Sequence, residues 1–127
     1  KGFEDMKDVI VENSKILFNV LGKHLYVISQ NYAYFGGKEE ALGIIDWSKQ
    51  LLDLYSEKEA FFDASAYFRT MKWLALHKMV AYSRAGEKDM VEKVYKDFLD
   101  EMKQRTDLSE KEYQEIIYFL DCQKKWI

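Results

Sequence analysis

Glycine alone punctuates this chain. Its 127 residues contain no proline and only six glycines. Proline is the strongest helix breaker, so a chain without it has few places to end a helix, and long helices are the expected architecture. The clearest break is the pair Gly36 and Gly37. Before it, Leu25, Ile28, Tyr32 and Phe35 recur at three- and four-residue spacing; after it, Ala41, Ile44, Ile45, Ser48, Leu51, Leu52 and Tyr55 do the same. Each set reads as one face of a helix. The glycines are expected to let the backbone leave the first helix through positive φ and turn back. The result is a helical hairpin, which cannot bury both faces alone and must stack on something else.

The remaining segments extend the same pattern. Residues 3–12 read as an opening helix, acidic in its first turn and apolar at Met6, Val9 and Ile10; Asn13-Ser14 is either an internal cap or a polar turn of a continuing helix. Residues 15–28 carry a helical stripe (Leu17, Val20 or Leu21, Leu25, Ile28) but are also rich in strand formers, with Gly22 placed for a hairpin turn. Helix is the preferred reading, because no other segment offers a partner strand and an isolated two-stranded ribbon is marginal in water. Residues 38–57 form the second arm of the hairpin, and Ser56 to Glu59 a short polar connection. Residues 60–85 form the longest helical pattern, with one stripe of Phe61, Ala64, Phe68, Met71, Ala75, Met79 and Tyr82 and another of Phe62, Trp73, Leu76 and Val80. Two apolar sides predict a central helix, ended by Gly86. Residues 87–104 are amphipathic, with Met90, Val91, Val94, Tyr95, Phe98, Leu99 and Met102 on one side. Ser109 followed by Glu112 fits a capping box that opens a last helix carrying Tyr113, Ile116, Ile117 and Leu120. Trp126 and Ile127 form a bare apolar end, which either docks onto the core or marks a cut through a larger protein. The start at Lys1 reads the same way, so one helical domain over 1–127, taken from a larger protein, is the expected organisation.

Several kinds of chemistry find little support. Net charge is −3, which gives no bulk case for nucleic acid or an anionic membrane. No apolar run approaches the ~18 residues of a membrane span, and no leader is visible, so a cytoplasmic setting is expected. A metal needs three or four convergent ligands; His24 and His77 lie far apart in sequence and the single Cys122 stands near the far end. Cys122 has no evident activating base. Gly36-Gly37-Lys38 lacks the upstream glycine and following hydroxyl of a phosphate loop. The reading is a non-enzyme with no cofactor and no metal. Arg69, Lys72, Lys78 and Arg84 give the third helix a basic side, with Tyr67 and Trp73 nearby; an ordinary charged helix side is the preferred reading, and as a binding surface it suits an acidic peptide better than nucleic acid. The aromatic share of 16% exceeds what five helices easily hide, and exposed Tyr and Trp favour a protein partner.

Leu25, Ile28, Ser29, Tyr32, Gly36, Ala41, Ile45 and Ser48 follow, in order and spacing, the large and small positions of a tetratricopeptide-type repeat, which the segment resembles. Asp53 stands where that repeat has its terminal proline. A second segment matches at Tyr82, Gly86 and Tyr95 but departs at Lys78, Met79 and Phe98, and Gly36 and Gly86 are 50 residues apart where a regular array has about 34. The stretch AYSRAGEKDMVEKVYKDFLDEM and the following DLSEKEYQEI also resemble the helical domain found beside the DNA-binding domain of some bacterial transcriptional activators.

These resemblances imply an all-α fold of about five helices in antiparallel hairpins, stacked right-handedly, that binds a protein or peptide on its concave face. Carried over position by position, that face holds Lys23, Tyr26, Gln30 and Tyr34 from the first copy and Trp73, Leu76, Val80 and Arg84 from the second. The implied role is the sensory or interaction part of a bacterial transcription regulator, without catalysis. The alternative is a homodimerisation domain with an aromatic helix-packing interface.

Overall fold

The structure, a computed structural model, describes residues 2–57 and 63–127, and the side chains of 12–57 and 63–127. The chain is all-α. Five helices follow one another: α1 (Gly2–Phe35), α2 (Lys38–Ser56), α3 (Ala64–Arg84), α4 (Lys88–Lys103) and α5 (Glu110–Lys124). No strand occurs among the described residues.

Helix α1 runs 34 residues without interruption, through both Asn13-Ser14 and Gly22. The β-ribbon reading of residues 15–28 is therefore set aside. Gly22 serves a different purpose. A Cβ at that position would lie 2.5 Å from Thr70 Oγ1 on α3, so the missing side chain is what lets the two helices approach.

This close approach also decides which face of α1 is inward. Most of the expected stripe faces outward: Leu17, Val20, Ile28, Tyr32 and Phe35 are exposed, while Leu21, the alternative to Val20, is partly buried and Leu25 is buried. The inward line is Ser14, Phe18, Gly22, Leu25, Ser29 and Ala33. Small residues line the seam because helix axes that pass closely leave no room for long side chains; only Leu25 belongs to both patterns. On α2 the buried residues Ala41, Ile45, Ser48 and Leu52 lie within the expected face, while Tyr55 is partly exposed.

The Gly36-Gly37 turn also differs from expectation. Among the described residues only Gly86 has positive φ, at 78°. Gly37 caps α2 in an extended conformation, φ −78° and ψ 157°. Gly36 is constrained sterically instead, since a Cβ there would meet Tyr32 O at 2.9 Å. Gly86 does end α3 in the left-handed manner: its N–H donates to Ser83 O, and Glu87 N–H reaches back to Tyr82 O at 2.9 Å. Those two bonds satisfy carbonyls that a helix end otherwise leaves open.

Helix α3 begins at Ala64, with Asp63 as its cap accepting from Ala66 N–H at 3.2 Å; the expected earlier start, with Phe61 and Phe62, lies outside the described residues. Twelve of its residues are buried, on every side, from Ala66 and Tyr67 to Val80 and Ala81. The reason is its position. It packs against α1, α2, α4 and α5, whereas the α2 and α4 backbones stay apart and meet only through side chains such as Lys49 and Glu101. Helix α4 buries Val91, Val94, Phe98 and Met102, the side its pattern marked. Helix α5 is opened by Ser109, whose hydroxyl accepts from Glu112 N–H and donates to Glu112 Oε1. It is the most lightly held, through buried Ile116 and Leu120 and through bonds from α4 such as Tyr95 to Asp121. At the end of the chain Ile127 packs beside Met79, Val91 and Val94, while Trp126 stays exposed.

Candidate functional site: the furrow between α1 and α3

An open furrow of about 290 Å³ lies between α1 and α3, lined by Asn19, Gly22, Lys23, Tyr26, Arg69, Thr70 and Trp73. Its floor is the close contact of Gly22 with Thr70, both buried. One wall is aromatic. The Tyr26 and Trp73 rings meet edge-on with centroids 4.6 Å apart, and Trp73 continues edge-on to Phe119 of α5 at 4.7 Å. Such edge contacts hold rings rigidly and leave part of each face free for a ligand.

The opposite end is polar and positive. Arg69 Nη2 donates to Asn19 Oδ1, and Asn19 Nδ2 donates to Asp63 Oδ2, each at 2.8 Å. Burial opposes the charge on Asp63, but hydrogen bonds from Asn19 and from the Ala66 and Ser65 backbone outweigh it and hold its carboxyl below the ordinary range. Lys23 has no ion-pair partner among the described residues. Beside the furrow the Lys72 ammonium sits 4.5 Å over the Phe119 ring. Burial, reinforced by repulsion from Arg69, pulls the Lys72 pKa below its usual value. Lys23, Arg69 and Lys72 against Asp63 and Glu115 leave one positive charge in excess around the furrow, which favours an anionic group.

Beneath the aromatic wall lies His77, fully buried. The Tyr26, Trp73 and Tyr34 rings surround it at centroid distances of 5.5, 5.9 and 6.4 Å. Its Nδ1 lies 2.6 Å from Ser29 Oγ, whose hydroxyl donates to Tyr26 O at 3.0 Å. With that proton committed to the carbonyl, Nδ1–H is the donor to Oγ, and Nε2 is a lone pair without a hydrogen-bond partner among the described residues. An unmatched lone pair costs less than an unmatched N–H. Burial pushes the His77 pKa down to about 4, so the ring is neutral near pH 7.

Of the residues expected to form a binding face, Lys23, Tyr26 and Trp73 come together in the furrow. Tyr34 lies along the same helix, edge-on to His77, and Gln30 is half-buried on α1. Arg84 is elsewhere: its guanidinium donates to Ala33 O at 2.7 Å and to Gly36 O at 3.0 Å, closing the C-terminal end of α1. Leu76 and Val80 belong to the core, because α3 is enclosed on the side that was expected to stay open. The basic side of α3 is likewise dispersed. Arg69 and Lys72 flank the furrow, while Lys78 faces Asp46 of α2 at 4.0 Å. Tyr67, expected beside them at the surface, is buried; its hydroxyl donates to Asp53 at 2.6 Å, and burial together with that carboxylate raises its pKa. Asn19, Gly22 and Thr70 are site residues that pattern reading missed. A glycine inside an unbroken helix, with polar and aromatic neighbours three and four residues away, was the available signal.

A second groove, about 190 Å³, runs between α2 and α4 over α3. Its rim charges pair with one another, Lys49 with Glu101 at 3.1 Å and Lys93 with Asp97 at 2.7 Å. In the α1/α3 furrow, by contrast, Lys23 has no such partner among the described residues. Compared with protein-family models, curated proteins and solved structures, the chain gives no match.

Proposed function

We propose that the chain is a non-catalytic domain that holds a protein or peptide segment in the α1/α3 furrow. One observation carries this reading: Lys23, Tyr26, Arg69 and Trp73, from two helices, line one open furrow whose floor is kept shallow by a glycine. Aromatic and arginine side chains around an anchor pocket are the usual source of binding energy at protein interfaces. The cations favour a segment that carries an acidic residue beside an apolar one.

The order of helix contacts supports a tetratricopeptide-like stack of hairpins. Helices α1 and α2 pack together and against α3; α3 and α4 pack together and against α5. In such a stack α1 and α3 are the leading helices of successive pairs, and the furrow runs along the face between them. The role that goes with this reading is the interaction part of a cytoplasmic bacterial transcription regulator. No described helix is long and apolar enough to cross a membrane.

Selection from a displayed library of random twelve-residue peptides tests the proposal. Enriched peptides are expected to pair Asp or Glu with an aromatic or aliphatic residue. Replacing Lys23 and Arg69 by Glu is expected to weaken them about tenfold or more, as loss of an interface anchor does, with helix content unchanged by circular dichroism. Absence of enrichment, or peptides bound equally by the variant, would remove the furrow as the site.

A further inference from the structure

Eleven of the thirteen large apolar side chains that stand exposed among the described residues belong to α1 and α2. On α1 their spacing is regular. Leu17, Val20, His24, Val27 and Asn31 follow at steps of three and four, and all are exposed. This is the spacing of the a and d positions of a coiled coil, and it lies on the side of α1 away from the buried line of Phe18, Leu25 and Ser29. Leu17 is 62% exposed, Val20 43% and Val27 49%. A surface helix ordinarily carries polar residues on that side.

We infer that α1 pairs in parallel with α1 of a second copy of this chain, forming a two-stranded coiled coil along this seam. The polar members decide the direction. In a parallel pair in register, Asn31 meets Asn31 and His24 meets His24, so each polar group finds a like partner; a buried asparagine at such a position is the usual device that sets register and strand number. An antiparallel pair centred on the seam sets Asn31 against Val20 and His24 against Val27, leaving both polar groups facing valine. The flanks agree. In the parallel register Ile16 of one copy lies beside Leu21 of the other, Lys23 beside Ile28, and Gln30 beside Phe35, so no like charges oppose each other.

The area is sufficient. From Leu17 to Phe35 the helix rises about 27 Å. Trp47 and Leu54 of the adjoining helix α2 are exposed as well, while Asp46 and Lys49 of α2 face Lys78 of α3 and Glu101 of α4. Two helix widths of about 10 Å each give about 500 Å² per copy in projection, and about 1,000 Å² for the pair, the lower bound for a specific interface. Tyr26 of α1 and Trp73 of α3 lie away from the seam, so pairing leaves the aromatic wall of the furrow open, with Lys23 standing at the edge shared by furrow and flank; the pairing itself does not depend on what the furrow binds.

Sedimentation velocity on the full chain tests it. A dimer is expected over the micromolar range, and Val20→Glu with Val27→Glu is expected to raise the dissociation constant about a hundredfold or more, as burying unpaired charge does, with helix content unchanged and Tm no longer dependent on protein concentration. Asn31→Val, a milder change that preserves the seam, is expected to tighten association. In a Cys122→Ser background, Val27→Cys is expected to cross-link to itself under mild oxidation. A monomer at about 100 µM, where a standard-size interface would be populated, or a dimer indifferent to the glutamates, overturns the inference. Cross-linking of Val20→Cys to Asn31→Cys in place of Val27→Cys to itself overturns the parallel arrangement.

Discussion

Urea unfolding of the chain will give a lower free energy at about pH 4.5 than at pH 7, and the difference will shrink when His77→Leu is combined with Ser29→Ala. The direction follows from linkage. The folded pKa of His77 is about 4, against 6.5 for the free side chain, because burial penalises the charged ring. Between those values the unfolded chain binds the proton and the folded chain does not, so stability rises with pH across that window. It is fully present above about pH 6.5 and is lost as pH falls toward 4. A displacement of this size corresponds to about 3 kcal/mol. The carboxyls of Asp63 and Asp107 are held low, and they too withdraw stability in acid, mainly below the ordinary carboxylate range. The variant comparison separates the two effects, since those carboxyls are present in both proteins. Equal pH slopes in the two would mean that the imidazole is not buried.

The second large effect is expected at Gly22. Helix propensity alone says that replacing it by leucine should stabilise α1 by roughly 1 kcal/mol. Packing says otherwise. The first carbon of any side chain there would lie 2.5 Å from Thr70 Oγ1, and Thr70 is itself buried. Leucine must push α1 off α3 or distort both, and overpacking of a close-packed seam costs about 1–3 kcal/mol or more. The net expectation is a loss of about 2 kcal/mol by thermal or chemical unfolding. Gly22→Ala with Thr70→Ala should recover the loss and let the propensity gain appear, because both obstructing groups are then small. If Gly22→Leu is as stable as the parent, the two helices are not in close contact and the furrow has no floor.

The helix ends were legible where local chemistry sets them. The Gly36-Gly37 break, the Gly86 stop and the Ser109–Glu112 cap each act within one turn, and the last two act as expected. The inward side of α1 was not legible. That helix carries two interleaved periodicities, one of large residues (Leu17, Val20, Val27, Ile28) and one of small or medium ones (Ser14, Gly22, Ser29, Ala33). A hydrophobic pattern selects the first, but close helix contact selects the second, and only the position of α3 decides between them. The furrow was legible in part for the same reason. Lys23, Tyr26 and Trp73 could be placed from their repeat positions, whereas Arg84, Leu76 and Val80 depended on how far α3 is enclosed by its neighbours.

Nearly all the packing between the two ends of the molecule passes through α3, since α2 and α4 meet only through surface ion pairs such as Lys49–Glu101. The domain is therefore built as a wheel around a hub, with no half able to shelter its own apolar surface. Exchange of amide protons with deuterated solvent should be slowest in α3, where opening requires loss of the whole fold, and fastest in α5, which can lift away while the rest persists. Anything gripping α1 from outside would slow the rim through that single axle.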